Sequence, residues 1–222
     1  MLNQFFPNNQ SKLLKYVIER KQEGRDDLPS IQELSEQLGM SVPTLREQIE
    51  ALKVLGIIAA RPRHGIHIQP IDFSAGFKQN AIIAAMFDIK YFYQISELRD
   101  RLEQSWFLNA AEQLAAEDID QLEQYVIKAE AKLQGNPIRI PHIEHKELHL
   151  SIYQKLDNLF VMGILNTYWA VYEAVGMNLY TDLEYQMTVW DYHRNIVQAI
   201  KKREFNKGQT LLLEHMQLIY KR

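Results

Sequence analysis

No cysteine occurs in the chain. That absence excludes disulfide staples and thiolate metal sites, and it fits a reducing compartment. Long apolar runs are missing as well: nothing approaches the roughly 18 consecutive apolar residues of a membrane-spanning helix. The opening MLNQFFPNNQ lacks the basic-then-apolar order of a secretion signal. The expectation is a cytoplasmic protein with no membrane partner. Neither charge sign is in large excess, since the formal net charge is −3, so the total gives no hint of nucleic-acid binding. Internal repeats and low-complexity tracts are lacking, and so is the HExxH signature of helical zinc hydrolases.

What is present reads as two parts. Residues 1–70 carry nine Lys/Arg against eight Asp/Glu, and the remainder carries sixteen against twenty. Leu13, Leu14, Val17 and Ile18 repeat at helical spacing in SKLLKYVIERKQE, and Gly24 closes that helix before a loop, RDDLPS. Ser30 and Glu33 form a capping box for IQELSEQLG, which Gly39 ends. Ser41 caps a third helix, SVPTLREQIEALKVLG, where Pro43 is tolerated in the first turn. The β-prone runs IIAA and GIHIQ, separated by Arg61-Pro62-Arg63-His64, predict a hairpin. Three helices followed by a hairpin describe a winged helix-turn-helix over residues 1–72.

Residues 73–88 read as a connector that becomes helical. Beyond it, periodicity predicts an all-α antiparallel bundle over 89–222, with helices near 91–116, 118–134 (Asp118 as N-cap), 141–157, 158–177, 181–203 and 206–221. LQGNPIRIP is the clearest break. The fold class is therefore mostly α.

In a winged helix the third helix enters the major groove with its N-terminal residues at the base edges. Here Ser41 and Thr44 can bond phosphates, and Arg46 can pair with guanine or hold a phosphate. Arg61, Arg63 and His64 sit at the wing, placed for a minor groove or the backbone. A surface helix with scattered solvated arginines is the plainer alternative. In the second part, His145 and His149 are four apart on one helix, His193 lies on another and His215 on the last. A bundle can bring such imidazoles to one interior point, where they suit a divalent transition metal. Hydrogen-bonded core histidines are the other reading. Tyr168, Trp169, Tyr172, Trp190 and Tyr192 read mostly as core, with one or two lining a pocket.

The stretch LPSIQELSEQLGMSVPTLREQIEALKVLGII, with the wing RPRHGIHI, resembles the N-terminal domain of GntR-type bacterial transcription regulators. Gln32 and Val42 stand where that family usually has arginines, and Arg63 and His64 depart from its wing. ISELRDRLEQSWFLNAA, HKELH and HRNIVQAIKKREFNKGQTLLLEH resemble the FCD domain, the effector-binding bundle of one branch of the family. The resemblance implies a ligand-responsive regulator binding a double-stranded DNA operator as a homodimer, not an enzyme. It further implies a small organic-acid effector held near a metal by His149, His193 and His215. The family's aspartate ligand is His145 here, which favours Zn or Ni over harder ions. Arg99 is the expected effector contact, since guanidinium pairs bidentately with carboxylate; a surface salt bridge to Glu103 is its alternative role. A helical metalloenzyme and an adaptor without DNA affinity are the competing functional readings.

Overall fold

The computed structural model describes residues 12–61, 65–179 and 182–221. Arg63 and His64 of the expected wing tip lie outside the described residues. The chain divides into two units, Met1–Phe77 and Lys78–Arg222.

The first unit contains α1 (Lys12–Gln22), β1 (Asp27–Leu28), α2 (Ile31–Leu38), α3 (Val42–Val54), β2 (Ile58–Arg61) and β3 (Gly65–Ile68). The capping box at α2 forms as the sequence predicts. The Ser30 hydroxyl accepts from Glu33 N at 3.3 Å, and the Glu33 carboxylate accepts from Ser30 N at 2.8 Å. Gly39 ends α2 at φ 60°, a left-handed conformation that only glycine adopts without strain. Ser41 then caps α3, accepting from Thr44 N at 3.3 Å. Leu13, Val17, Leu34, Leu45, Ile49 and Leu52 meet strand residues Leu28, Ile58, Ile66 and Ile68 in one buried core.

The wing is a three-stranded sheet rather than a two-stranded hairpin, in the order β1-β3-β2. Leu28 pairs with Ile66 and Asp27 with His67, so RDDLPS holds a short strand where the sequence predicts only loop. Two residues are too few to show the alternation by which a strand is read from sequence.

Helix α4 (Ser74–Phe87) occupies the stretch read as a connector. The second unit continues with α5 (Lys90–Glu112), α6 (Ala116–Leu133), α7 (His142–Tyr153), α8 (Leu159–Ala174), α9 (Leu183–Lys201) and α10 (Phe205–Met216). Short 3-10 turns follow α8 and α10, at Met177–Leu179 and Gln217–Lys221. The last α-helix therefore stops short of 221, and the N-cap of α6 is Ala115 rather than Asp118. Asp118 lies in the first turn and reaches back, its Oδ2 accepting from Ala115 N at 2.9 Å. No helix of the described residues is long and apolar enough to cross a membrane.

Helix α5 packs against α7, α8 and α10, while α9 packs against α6 and α10. Apolar burial along these contacts is the main stabilising contribution, at roughly 1.5–3 kcal/mol for each fully buried large side chain. Gly208 permits a close approach of α10 to Phe107 of α5. A Cβ there would stand 3.1 Å from the Phe107 ring.

Candidate metal centre and nucleic-acid interface

Phe92, Ile95, Arg99, Glu103, Phe107 and Ala110 lie along one buried stripe of α5. A charged pair interrupts this apolar stripe. Arg99 is 3% exposed and Glu103 fully buried. Arg99 Nε donates to Glu103 Oε1 at 2.6 Å. The i,i+4 salt bridge allowed by sequence does form, but it lies inside the bundle and not on the helix surface. The Arg99 guanidinium also sits 4.7 Å from the centre of the Tyr168 ring.

Two turns of α7 bring His145 and His149 to this pair. His149 is 1% exposed, and its Nδ1 lies 2.9 Å from Glu103 Oε2. Its other nitrogen, Nε2, is 3.1 Å from His193 Nε2 on α9 and 3.3 Å from His215 Nε2 on α10. His145 faces the same point, with ring centres 4.7 Å from His193 and 5.2 Å from His149. One nitrogen from each of the four histidines lies within 4.8 Å of the other three. The sequence-predicted quartet is thus brought together. His142, three residues before His145, stacks on Tyr172 and pairs with Glu173 at 2.9 Å instead. Glu144 pairs with Lys132 at 2.6 Å.

Electrostatics favour the neutral form of these rings. Burial, and then the neighbouring histidines, push the His145, His193 and His215 imidazoles well below the ordinary histidine range. Burial also lowers His149, opposed by the Glu103 charge. Burial alone would raise the Glu103 carboxyl, but the Arg99 guanidinium beside it, with His149, holds it down at about 2. Neutral imidazole is the form that coordinates a metal.

The donor set fits a borderline divalent ion. Zinc–imidazole bonds of about 2.0–2.1 Å place neighbouring ligand nitrogens of a tetrahedron about 3.3–3.4 Å apart, close to the 3.1 and 3.3 Å separations about His149. His145 Nε2 is buried without a hydrogen-bond partner among the described residues. Coordination through His149 Nε2 would leave its Nδ1 proton for Glu103 Oε2, an arrangement that orients a metal-bound imidazole and raises its basicity; Arg99 Nη2 lies at the same 2.9 Å from that nitrogen. Sequence reasoning missed this role of Glu103. The available signal was a charged pair placed at i,i+4 within an otherwise apolar stripe. Trp169 and Trp190 are fully buried against the histidines, 4.9 Å from His145 and 4.7 Å from His193 between ring centres.

The first unit places its expected DNA residues differently. Arg46 and Arg61 are both exposed and line one concavity of about 530 Å³ with Ser30, Gln32 and Gly65. Ser41 and Thr44 are exposed too, but their hydroxyls bond each other at 2.8 Å. Along α3 the charges after Arg46 are the exposed Glu47 and the exposed Glu50, which a half-buried Lys53 pairs at 2.8 Å.

Comparison with known proteins matches both units. Residues 94–218 match the FCD domain, and residues 12–68 match the gntR family of bacterial regulatory proteins. The chain is 27% identical to the HTH-type transcriptional regulator YcbG of Bacillus subtilis, over 95% of this chain and 90% of that protein. It is likewise 27% identical to the HTH-type transcriptional regulator YieP of Escherichia coli, over 90% and 89%. The Uxu operon regulator of Haemophilus influenzae is 22% identical, over 86% and 71%. Among solved structures, the Streptococcus agalactiae GntR protein shares the fold with a TM-score of 0.64 at 21% identity, covering 99% of this chain and 98% of that one.

Proposed function

The chain belongs to the gntR family of bacterial regulatory proteins and carries an FCD domain. From that premise we propose a transcription regulator whose grip on its operator is set by a small organic acid bound beside a divalent metal in the helical unit. The observation carrying this reading is the convergence of four imidazoles from three helices next to a buried Arg99–Glu103 pair. His145, His149, His193 and His215 would hold the ion, with Zn or Ni suiting an all-imidazole set. A bound ion would supply positive charge to attract a carboxylate. Glu103 keeps the His149 ring in its coordinating orientation.

Arg99 supplies the second half of effector recognition. Its Nε is engaged by Glu103 at 2.6 Å, and its Nη2 by His149 Nδ1 at 2.9 Å and Glu103 at 3.4 Å. Nη1 is the least committed nitrogen, with Tyr168 Oη at 3.5 Å and Asp100 Oδ1 at 4.0 Å. An effector carboxylate arriving there gains a charged donor already desolvated by the fold. Helix-turn-helix operators are commonly two-fold related, so the regulator acts as a homodimer.

The contacts of 3.1 and 3.3 Å between ring nitrogens also suit N–H···N hydrogen bonds among metal-free histidines. Elemental analysis of tag-free protein separates the two readings. Stoichiometric metal in wild type and its loss in His193→Ala support the metal centre; equal, negligible content in both proteins sinks it. Titrating short carboxylic acids against operator affinity then tests the coupling, which must be reciprocal between effector and DNA.

A further inference from the structure

The concavity that Arg46 lines also carries a residue with a recognisable chemical code. Four described residues lining it have polar side chains: Ser30, Gln32, Arg46 and Arg61. The Ser30 hydroxyl is spent on the α2 cap, accepting from Glu33 N at 3.3 Å. Gln32, Arg46 and Arg61 are exposed, and none of their side chains has a hydrogen-bond or ion-pair partner among the described residues. Farther along α3, Glu47 is an exposed carboxylate that repels a phosphate backbone, and Glu50 is paired with Lys53 at 2.8 Å. The side-chain positions free of carboxylates are thus the start of α3 and the concavity beside it, which Gln32 lines from the first turn of α2.

A neutral amide can donate to a phosphate, but it releases no counterion there. It is a good base reader. Its N–H₂ donates while its oxygen accepts, the complement of adenine N7 and N6–H₂ in the major groove. Arginine offers donors only and matches guanine O6 and N7. Resting on the DNA-binding reading of the first unit, we propose that Gln32 is a specificity-determining residue that selects adenine in each operator half-site, beside a guanine read by Arg46.

Selection from a random duplex library at fixed salt tests this, using full-length wild type, Gln32→Ala, Gln32→Arg and Arg46→Ala. Wild type should enrich a half-site with one guanine and a nearby adenine. Gln32→Ala should bind that sequence about tenfold more weakly and lose preference at the adenine alone. Gln32→Arg should change that adenine to guanine, and Arg46→Ala should lose the guanine. Thermal melting of each variant confirms folding, which these exposed positions should not disturb. An adenine preference retained in Gln32→Ala overturns the proposal. A loss spread evenly over all sequences does so too, assigning Gln32 to the backbone. Both outcomes leave DNA binding itself intact. Failure of wild type to enrich any sequence, or to bind duplex in a salt-dependent way, overturns the DNA-binding reading and this proposal together.

Discussion

Glu103 shows what one buried carboxylate does when two partners share it. Its oxygens accept from Arg99 at 2.6 Å and face His149 Nδ1 at 2.9 Å. Removing its charge strands a guanidinium that is 3% exposed, and breaking a buried pair in this way costs about 3–5 kcal/mol. Glu103→Gln should lose stability of that order, read as a lower urea midpoint. The same substitution should weaken metal binding about 10–100-fold, because it removes the acceptor that orients His149. Competition with a chromophoric chelator measures this on the fraction that remains folded. Arg99 and Glu103 were each readable as chemistry-bearing residues. Their burial was readable only by noticing that they fall on the stripe of Phe92, Ile95, Phe107 and Ala110.

At the scale of elements, the capping chemistry was largely visible in advance. Ser30, Glu33, Gly39 and Ser41 perform the roles their residue types suggest. Ser30→Ala should cost about 1 kcal/mol, measured by chemical denaturation. Asp118 was misplaced because an acidic residue before an apolar run reads equally as N-cap or as N3; the backbone turns at Ala115, a residue with no capping side chain. Helix packing is not legible in the same way. Nothing local marks Gly208 as the point where α10 meets the Phe107 ring, at 3.1 Å from an added Cβ. Gly208→Val should overpack that contact and destabilise the second unit by about 1–3 kcal/mol, seen as a lower melting temperature.

For the molecule as a whole, the buried histidines set the direction of the pH response in metal-free protein. Their folded-state pKa values are lowered by burial first, so below about pH 6.5 the unfolded chain binds protons that the folded bundle refuses. Stability therefore rises with pH up to about 6.5 and levels off above it. Asp100 works the other way. Burial raises its carboxyl to about 6, so its contribution is present at low pH and is lost as pH climbs toward that value. Four lowered histidines outweigh one raised carboxyl. Melting temperature in chelator should climb between pH 5 and 7, and Asp100→Asn should steepen the climb below pH 6. Metal loading should add stability through its preference for the folded state, by RT ln(1 + [L]/Kd).

Spacing within the chain by itself determined most of the helices, the caps of α2 and α3, the helix-turn-helix and the His145–His149 pair. Each of these depends on residues a turn or two apart, where backbone geometry translates sequence distance directly into spatial distance. Tertiary structure alone decided that His149 meets Glu103, His193 and His215 across 44–66 residues of chain. It also decided that Arg99 turns inward, that His142 turns aside to Glu173, and that Leu28 joins the wing as a third strand. Those outcomes depend on which helix faces and strand edges meet, and burial is settled by the partners of a surface rather than by its own composition.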